Sequence, residues 1–163
     1  MYEYHVHHVT HVVDGDTIDC AIDLGFDVSV DRRVRLAGID TPESRTTDLI
    51  EKAAGLDAKD WLTRHLVGAQ KIVIRTQLAD STEKYGRILG TLFVNGDPMS
   101  LNDRMIGLGY AWGYDGGTKV KDLGALALRK LHPTVAPLAI LPHSVQPAVQ
   151  PVVQPAGAQA GEG

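Results

Sequence analysis

The first third of the chain alternates apolar and polar residues with the period of β-strands. Valines at positions 6, 9, 12 and 13 lead to Asp14-Gly15, a dipeptide typical of a hairpin turn. A stretch rich in β-forming residues follows at 17–24, Gly25 marks the next turn, and residues 28–36 alternate again. The pattern predicts three strands arranged as a twisted antiparallel meander.

The apolar spacing then changes to that of a helix. Apolar positions recur three and four residues apart, the stripe of an amphipathic helix, at Ala54, Ala58, Trp61, Leu62 and His65. We place this helix at about 55–68, with Gly55 near its N-cap and Asp57 in the first turn, where a carboxylate suits the helix dipole.

Further elements complete a small α+β domain that is mainly β. Residues 71–76 and 88–94 are predicted as the fourth and fifth strands, a short helix should begin at Ser100, and leucine spacing predicts a third helix at 118–131. Five strands with three helices fit a closed OB-type barrel. The strand pattern alone does not separate an OB-fold from other small barrels.

The composition changes after His132-Pro133. Proline, alanine, valine and glutamine dominate there, and Gln-Pro recurs at 146, 150 and 154. Dense proline blocks both helices and strand ladders. The sequence therefore predicts a folded domain over residues 1–136 and a flexible, disordered Pro/Ala/Gln-rich tail over 137–163.

Composition also bears on compartment and assembly. A single cysteine, Cys20, excludes an internal disulfide, and the first residues contain neither a basic start nor an apolar run. These features predict a cytoplasmic protein without a signal peptide. The default expectation for its assembly is a monomer.

The net charge of −4 is unusual for a protein that binds nucleic acid. Basic residues cluster only locally, at Arg32, Arg33 and Arg35 and again at Lys84 and Arg87. We therefore expect any nucleic-acid binding to depend on a local pocket, and affinity for bulk duplex DNA to be modest.

Three short motifs carry the candidate chemistry. They are Asp14-Gly15-Asp16-Thr17, the segment 35–43 with Arg35 and Asp40-Thr41-Pro42-Glu43, and Tyr85-Gly86-Arg87. Carboxylates hold hard divalent cations, and another carboxylate can activate water. Planar guanidinium groups grip a phosphate and stabilise the charge of its transition state. The set fits metal-assisted attack on a phosphodiester.

Each motif also has a simpler interpretation. Asp16 and Asp40 could merely cap turns, and the Asp14 side chain is expected to bond backbone N–H groups of its turn. Glu43 could be an unpaired surface residue, because Ser44 and Arg45 beside it look solvated. Arginines far apart in the chain are most often surface ion-pair partners.

The segments 12–17, 34–43 and 83–90 together resemble the staphylococcal nuclease (thermonuclease) family, in order and at compatible spacing over residues 9 to 112. The resemblance implies an OB-fold and a Ca²⁺-dependent endonuclease that hydrolyses DNA and RNA with low sequence specificity and leaves 3′-phosphates. It implies that Asp16, Asp40 and the Thr41 carbonyl hold the metal.

The same resemblance implies roles for the other motif residues. Glu43 would be the general base, and Arg35 and Arg87 would clamp the phosphate. Lys84 and Tyr85 would contact the nucleotide, while Tyr114 would stack on a base of a single-stranded or denatured substrate. The segment 112–117 and the nearly neutral loop 45–48 depart from the family pattern, which bears on substrate affinity rather than chemistry.

Two other functions remain open at this stage. A catalytically inactive OB-fold module could bind nucleic acid or protein, but such modules usually lose part of the catalytic set. A structural Ca²⁺-binding domain would leave both arginines unexplained. The histidines at 5, 7 and 11 would share one strand face, where a zinc site is conceivable and a His-rich exposed face is favoured.

Overall fold

A computed structural model describes residues 2–76, 88–119 and 121–139. The strands are β1 (Tyr2–Asp14), β2 (Thr17–Gly25), β3 (Val28–Leu36), β4 (Ile39–Asp40), β5 (Ile72–Thr76), β6 (Ile88–Val94) and β7 (Trp112–Gly113). The helices are α1 (Leu49–Val67), α2 (Leu101–Gly107) and α3 (Leu123–Leu131). Five strands close a barrel in the order β1-β2-β3-β6-β5, which confirms the predicted α+β barrel fold.

β1 contains irregularities that explain its unusual valine spacing. Its pairing with β2 shifts register after Val6, Val9 and Val12. Each shift adds a residue and changes which side chain faces inward. Val6 and Val12 are buried and Val9 packs against the same core, so valines three residues apart share one face of the strand.

A parallel pairing between β3 and β6 closes the barrel and supports the candidate site residue Arg35. Val34–Leu36 of β3 pairs with the first residues of β6, whereas the other barrel pairs are antiparallel. Gly90 lies at this seam, where an added Cβ would be 2.6 Å from the Ile74 side chain. The close approach requires glycine at this position, because a larger residue would separate the strands.

Helix α1 begins six residues earlier than the sequence pattern predicts. Asp48 is its N-cap, and the carboxylate accepts hydrogen bonds from Ile50 N at 2.8 Å and from Glu51 N at 3.2 Å. The prediction was wrong because Leu49 and Ile50 are exposed and do not join the buried stripe. Gly55 is consequently an interior residue of the helix and lies far from its cap.

The other two helices differ in how well the sequence predicts them. α2 begins after Ser100, whose hydroxyl accepts from Asp103 N at 3.0 Å, as the capping pattern predicts. The predicted start of α3 at 118 is wrong. Asp122 caps this helix by accepting from Ala125 N at 2.9 Å, and residues 118, 119 and 121 before it are not helical.

The segment after α3 returns to the body of the domain. Thr134 N donates to Gly107 O at 3.0 Å, and Arg104 donates to the Ala136 carbonyl at 2.8 Å. Val135 and Leu138 pack against the core. Leu138 thus lies two residues beyond the predicted domain boundary at 136, while residues 140–163 of the predicted tail are outside the described residues. Among the helices described, none is long and apolar enough to cross a membrane.

Candidate active site

A polar pocket of about 370 Å³ opens where the β1–β2 turn, the end of β3, β4 and the following loop meet. Its walls contain five charged residues of the predicted site region and two residues from the loop after β7. The lining residues are Asp14, Asp16, Thr17, Arg35, Asp40, Thr41, Pro42, Glu43, Tyr114 and Lys119.

Arg35 joins the two aspartates at the base of this pocket. Its Nη1 is 2.8 Å from Asp16 Oδ2, and its Nη2 is 3.1 Å from Asp40 Oδ1. The same Nη2 donates to the Ile39 carbonyl at 3.3 Å. Arg35, Asp16 and Asp40 are all buried, so the guanidinium offsets much of the cost of removing two carboxylates from water.

Asp16 is held from several directions. The Thr17 hydroxyl donates to its Oδ1 at 2.9 Å, and Thr41 N donates to its Oδ2 at 3.3 Å. Burial raises the pKa of Asp16, and the nearby Asp40 carboxylate adds to this rise, while Arg35 and the two hydrogen bonds oppose it. Arg35 and the two hydrogen bonds therefore do not fully offset the cost of burying the negative charge of Asp16.

The β1–β2 turn is fixed against its neighbours so that Asp16 faces the pocket. Leu36 N donates to the Asp16 carbonyl at 2.7 Å, which ties the turn to the end of β3. An added Cβ at Gly15 would be 2.9 Å from Ala58 Cβ and 3.0 Å from a Thr41 methyl. Glycine at position 15 thus allows the turn, the loop at Thr41 and helix α1 to meet.

Glu43 lies exposed at the rim of the pocket on a short loop between β4 and α1. Its backbone N–H donates to Glu51 Oε1 at 3.3 Å, and its own Oε1 accepts from Arg45 N at 3.4 Å. The loop packs directly on α1, because an added Cβ at Gly55 would be 2.6 Å from the Pro42 carbonyl oxygen and 2.8 Å from the Glu43 carbonyl carbon.

Asp14 holds the base of this loop by side-chain contacts rather than by the predicted backbone contacts. The Ser44 hydroxyl donates to Oδ1 at 2.5 Å, and Arg45 Nη2 donates to Oδ2 at 2.9 Å. Ser44 is buried, so the expectation that it is solvated was wrong. Burial favours a higher pKa for Asp14, but the bonds from Ser44 and Arg45 outweigh it and lower the pKa.

The loop between β7 and α3 supplies the remaining wall. β4 pairs with β7, and Tyr114 N donates to the Gly38 carbonyl at 2.9 Å, which brings Tyr114 into the pocket lining. Lys119 was not predicted. Its Nζ lies 2.6 Å from Asp40 Oδ1 and 5.8 Å from the centre of the Tyr114 ring. Only the long-range pairing of β4 with β7 brings Lys119 here, so no local signal reveals it.

The basic cluster expected around Arg33 does not form one surface. Arg33 makes two hydrogen bonds of 2.7 Å to Asp19 on the neighbouring strand and lies outside the pocket lining. Arg35 alone of this cluster enters the pocket. The other predicted contacts, Lys84, Tyr85 and the second arginine Arg87, lie outside the described residues.

The atoms in the pocket that could bind a metal ion are oxygens. In the part of the chain that the structure describes, no group of three or more His, Cys, Asp or Glu side chains could hold a metal ion. This finding gives no support to a zinc site at the β1 histidines. A cation at Asp16 and Asp40 would need additional oxygens from a main-chain carbonyl, water or substrate, which is a set that hard cations such as Ca²⁺ accept.

The sequence also matches known proteins. It is 34% identical over 113 residues to protein ParB of Escherichia coli, covering 65% of this chain and 55% of that protein. An uncharacterized protein of Bacillus anthracis is 33% identical over 102 residues, covering 63% and 44%. An uncharacterized protein of Methanocaldococcus jannaschii is 27% identical over 139 residues, covering 74% and 65%. The chain spans less than two thirds of each relative.

A family model for staphylococcal nuclease homologues matches residues 33–128. The matched region begins within β3 and ends within α3, so it includes Arg35, the β4 loop with Glu43 and the loop with Lys119. Together with the closed five-stranded barrel, this match confirms the resemblance stated from the motifs. The chain belongs to the family of staphylococcal nuclease homologues.

Proposed function

We propose that this protein is a Ca²⁺-dependent nuclease that hydrolyses phosphodiester bonds in DNA and RNA with little sequence preference. The observation that carries the proposal is one pocket in which two buried aspartates share a buried arginine, with a glutamate at the rim. Buried ionised groups cost free energy, and such a cluster is typical of a site that recognises charge.

Asp16 and Asp40 are the residues that would hold the cation, with the Thr41 carbonyl as a third donor. Their oxygens, the burial of both carboxylates and the raised pKa of Asp16 fit a site that gains stability from an added positive charge. When bound, the cation would polarise a non-bridging phosphate oxygen and lower the pKa of nearby water.

Glu43 is the proposed general base. It lies at the pocket rim in contact with solvent, where it would accept a proton from the water that attacks phosphorus. The new P–O bond forms as the bond to the 5′-oxygen breaks, and that oxygen takes a proton from solvent water and leaves as a hydroxyl group. The products are a 3′-phosphate and a 5′-hydroxyl.

Arg35 is the proposed stabiliser of the pentacoordinate state. Its guanidinium lies at the base of the pocket with donors directed by Asp16, Asp40 and the Ile39 carbonyl, so its orientation is set before substrate binds. Arg87, which lies outside the described residues, is proposed as the second phosphate clamp. Lys84, Tyr85 and Tyr114 are proposed contacts for a single-stranded or denatured substrate.

The test is cleavage of denatured DNA and of RNA with Ca²⁺ or with a chelator. We expect Arg35→Lys to lower kcat by roughly 10²–10³-fold, because lysine cannot reproduce the planar donor pair. We expect Glu43→Gln to lower kcat by about 10²–10⁴-fold, the usual contribution of a general base.

Arg33→Lys is the matched control, because Arg33 lies on the same strand and also bonds an aspartate, but outside the pocket. It should cleave like the parent protein. If the folded Arg35 and Glu43 variants also cleave within about threefold of the parent, the assigned active site is wrong. If the parent binds denatured DNA but does not cut it with Ca²⁺, the protein is a binding module.

A further inference from the structure

Lys119 lies in the candidate site but has no role in the chemistry proposed above. Its Nζ is 2.6 Å from Asp40 Oδ1, and its side chain is 49% exposed whereas that of Asp40 is 5% exposed. The lysine thus covers a buried carboxylate from the solvent side. A cation that approaches this Asp40 oxygen from solution competes with the Lys119 ammonium for it.

The two cationic partners of Asp40 differ in how easily they can leave. The Arg35 side chain is 9% exposed and also contacts Asp16 and the Ile39 carbonyl, so it is fixed in place. Lys119 is half exposed on a flexible stem, so its ammonium can return to water at little cost when it leaves Asp40. A divalent cation beside Asp40 would repel the ammonium, and Lys119 is the partner that gives way.

The released ammonium would remain inside the pocket. Lys119 lines the same cavity as Arg35 and Glu43, and its Nζ is 5.8 Å from the centre of the Tyr114 ring. With Asp40 occupied by a cation, the phosphate of a nucleic acid bound in this pocket would be an acceptor for the Lys119 ammonium. A lysine ammonium binds phosphate as a compact point charge.

We propose that Lys119 is a phosphate-binding residue that rests on Asp40 until a divalent cation takes that carboxylate. The proposal rests on the proposed function and adds a substrate contact to that same site. It implies that Ca²⁺ alone binds weakly, because it must displace Lys119. It also implies that Ca²⁺ and nucleic acid strengthen each other's binding, since each stabilises the arrangement in which Lys119 has left Asp40.

Lys121 provides the matched control. Its Nζ is 2.6 Å from Glu51 Oε1, and that hydrogen bond raises the pKa of Lys121. It belongs to the same loop and has similar exposure, but it does not line the pocket. Lys119→Met and Lys121→Met therefore remove the same charge from nearby positions, but only the first removes an ammonium in contact with Asp40, which Lys121 feels at longer range.

The first measurement is calorimetric titration of the full chain with Ca²⁺, without nucleic acid. We expect Lys119→Met to bind Ca²⁺ roughly fivefold more tightly than the parent, the equivalent of about 1 kcal/mol, and Lys121→Met to bind like the parent. The second uses a labelled oligothymidylate and Ca²⁺, with Glu43→Gln present in every protein to prevent turnover. There Lys119→Met should weaken binding about tenfold and reduce the salt slope of log K by about 0.7.

The two measurements separate this inference from the proposed function. If the parent binds Ca²⁺ and cleaves DNA, but Lys119→Met leaves either the Ca²⁺ affinity or the salt slope unchanged, only the role of Lys119 is overturned. If the parent binds no Ca²⁺, both proposals are overturned. A merely structural role for Lys119 would not strengthen metal binding while it weakens oligonucleotide binding.

Discussion

The two ends of the β2–β3 hairpin reverse the usual distribution of polar and apolar residues. At the pocket end, Asp16, Thr17 and Arg35 are 5%, 4% and 7% exposed. At the tip, Leu24 is 47% exposed and Phe26 is 100% exposed. One hairpin therefore buries charged residues at its pocket end and exposes apolar side chains at its tip.

The two ends of the hairpin differ in what they contribute to the stability of the fold. Buried charges are tolerated only where partners compensate them, as Arg35 does for Asp16 and Asp40. Phe26 gains nothing from burial, and both Phe26 and Asp27 have left-handed φ angles of 55° and 60°, which cost L-residues free energy. The fold depends on the ion pairs of Arg35 at the pocket end, whereas it does not depend on Phe26 at the tip.

The largest effect is expected when the compensating charge at the pocket end is removed. Arg35→Met should lower the free energy of unfolding by about 3–5 kcal/mol at pH 7 with chelator, because two buried carboxylates lose a partner. Urea denaturation would measure this loss. Arg33→Met, which breaks an exposed pair on the same strand, should cost about 0–1 kcal/mol. Equal losses in the two variants would contradict the contrast between buried and exposed pairs.

A smaller effect is expected where α1 supports the pocket end. Gly55→Ala should destabilise the protein by about 1–3 kcal/mol, because the new methyl group meets the backbone of Pro42 and Ser44 at 2.6 and 2.7 Å. It should also lower kcat, since the loop that bears Glu43 must shift.

Ala53→Gly in the same helix is the control for Gly55→Ala. Ala53 is exposed, so this variant loses helix propensity worth about 1 kcal/mol but leaves the loop in place. Its kcat should match the parent. A Gly55→Ala protein with full activity would show that the loop position is irrelevant to catalysis.

The pH dependence of the pocket end gives a third, smaller effect. Burial raises the pKa of Asp16 in the folded protein above the ordinary aspartate value. The contribution of Asp16 to the free energy of unfolding is therefore fully present below the ordinary pKa, and it is lost as the pH rises through the raised pKa. Without metal, Asp16→Asn should therefore have a higher Tm than the parent at pH 7. The advantage should shrink as the pH falls towards 4, and thermal melts across this range would reveal a contrary trend.

The smallest expected effect is at the hairpin tip. Phe26→Asn should raise the free energy of unfolding by up to about 1 kcal/mol, because asparagine adopts the left-handed conformation more easily and no buried contact is lost. The measurement is urea denaturation beside the Arg35→Met series. A loss of more than about 1 kcal/mol would show that Phe26 has a structural contact after all.

Much of the fold could be predicted because its signals are local. Alternation, turn dipeptides and the Ser100 cap each act within a few residues, and the strands β2, β3, β5 and β6 lie close to their predicted positions. The start of α1 could not be predicted from periodicity, since its first turn exposes Leu49 and Ile50 and depends on the Asp48 cap.

The candidate site also has one part that local motifs could predict and another part that they could not. The motifs identified Asp16, Arg35, Asp40 and Glu43, and the structure brings all four to one pocket. The contacts of Ser44 and Lys119 could not be predicted, because their partners lie far along the chain. Ser44 bonds Asp14 and Lys119 bonds Asp40, contacts that exist only after the strands have paired.

The parallel seam between β3 and β6 has a consequence for the order of folding. Val34 pairs with Ile88, and both α1 and β5 lie between them in the chain. Such distant pairings form slowly, because the chain must lose much of its conformational freedom before the contact gains anything. Arg35 lies in the middle of this seam, paired with Leu89. A chain with an open barrel would therefore lack the assembled pocket, and the proposed nuclease activity would arise only with the completed fold.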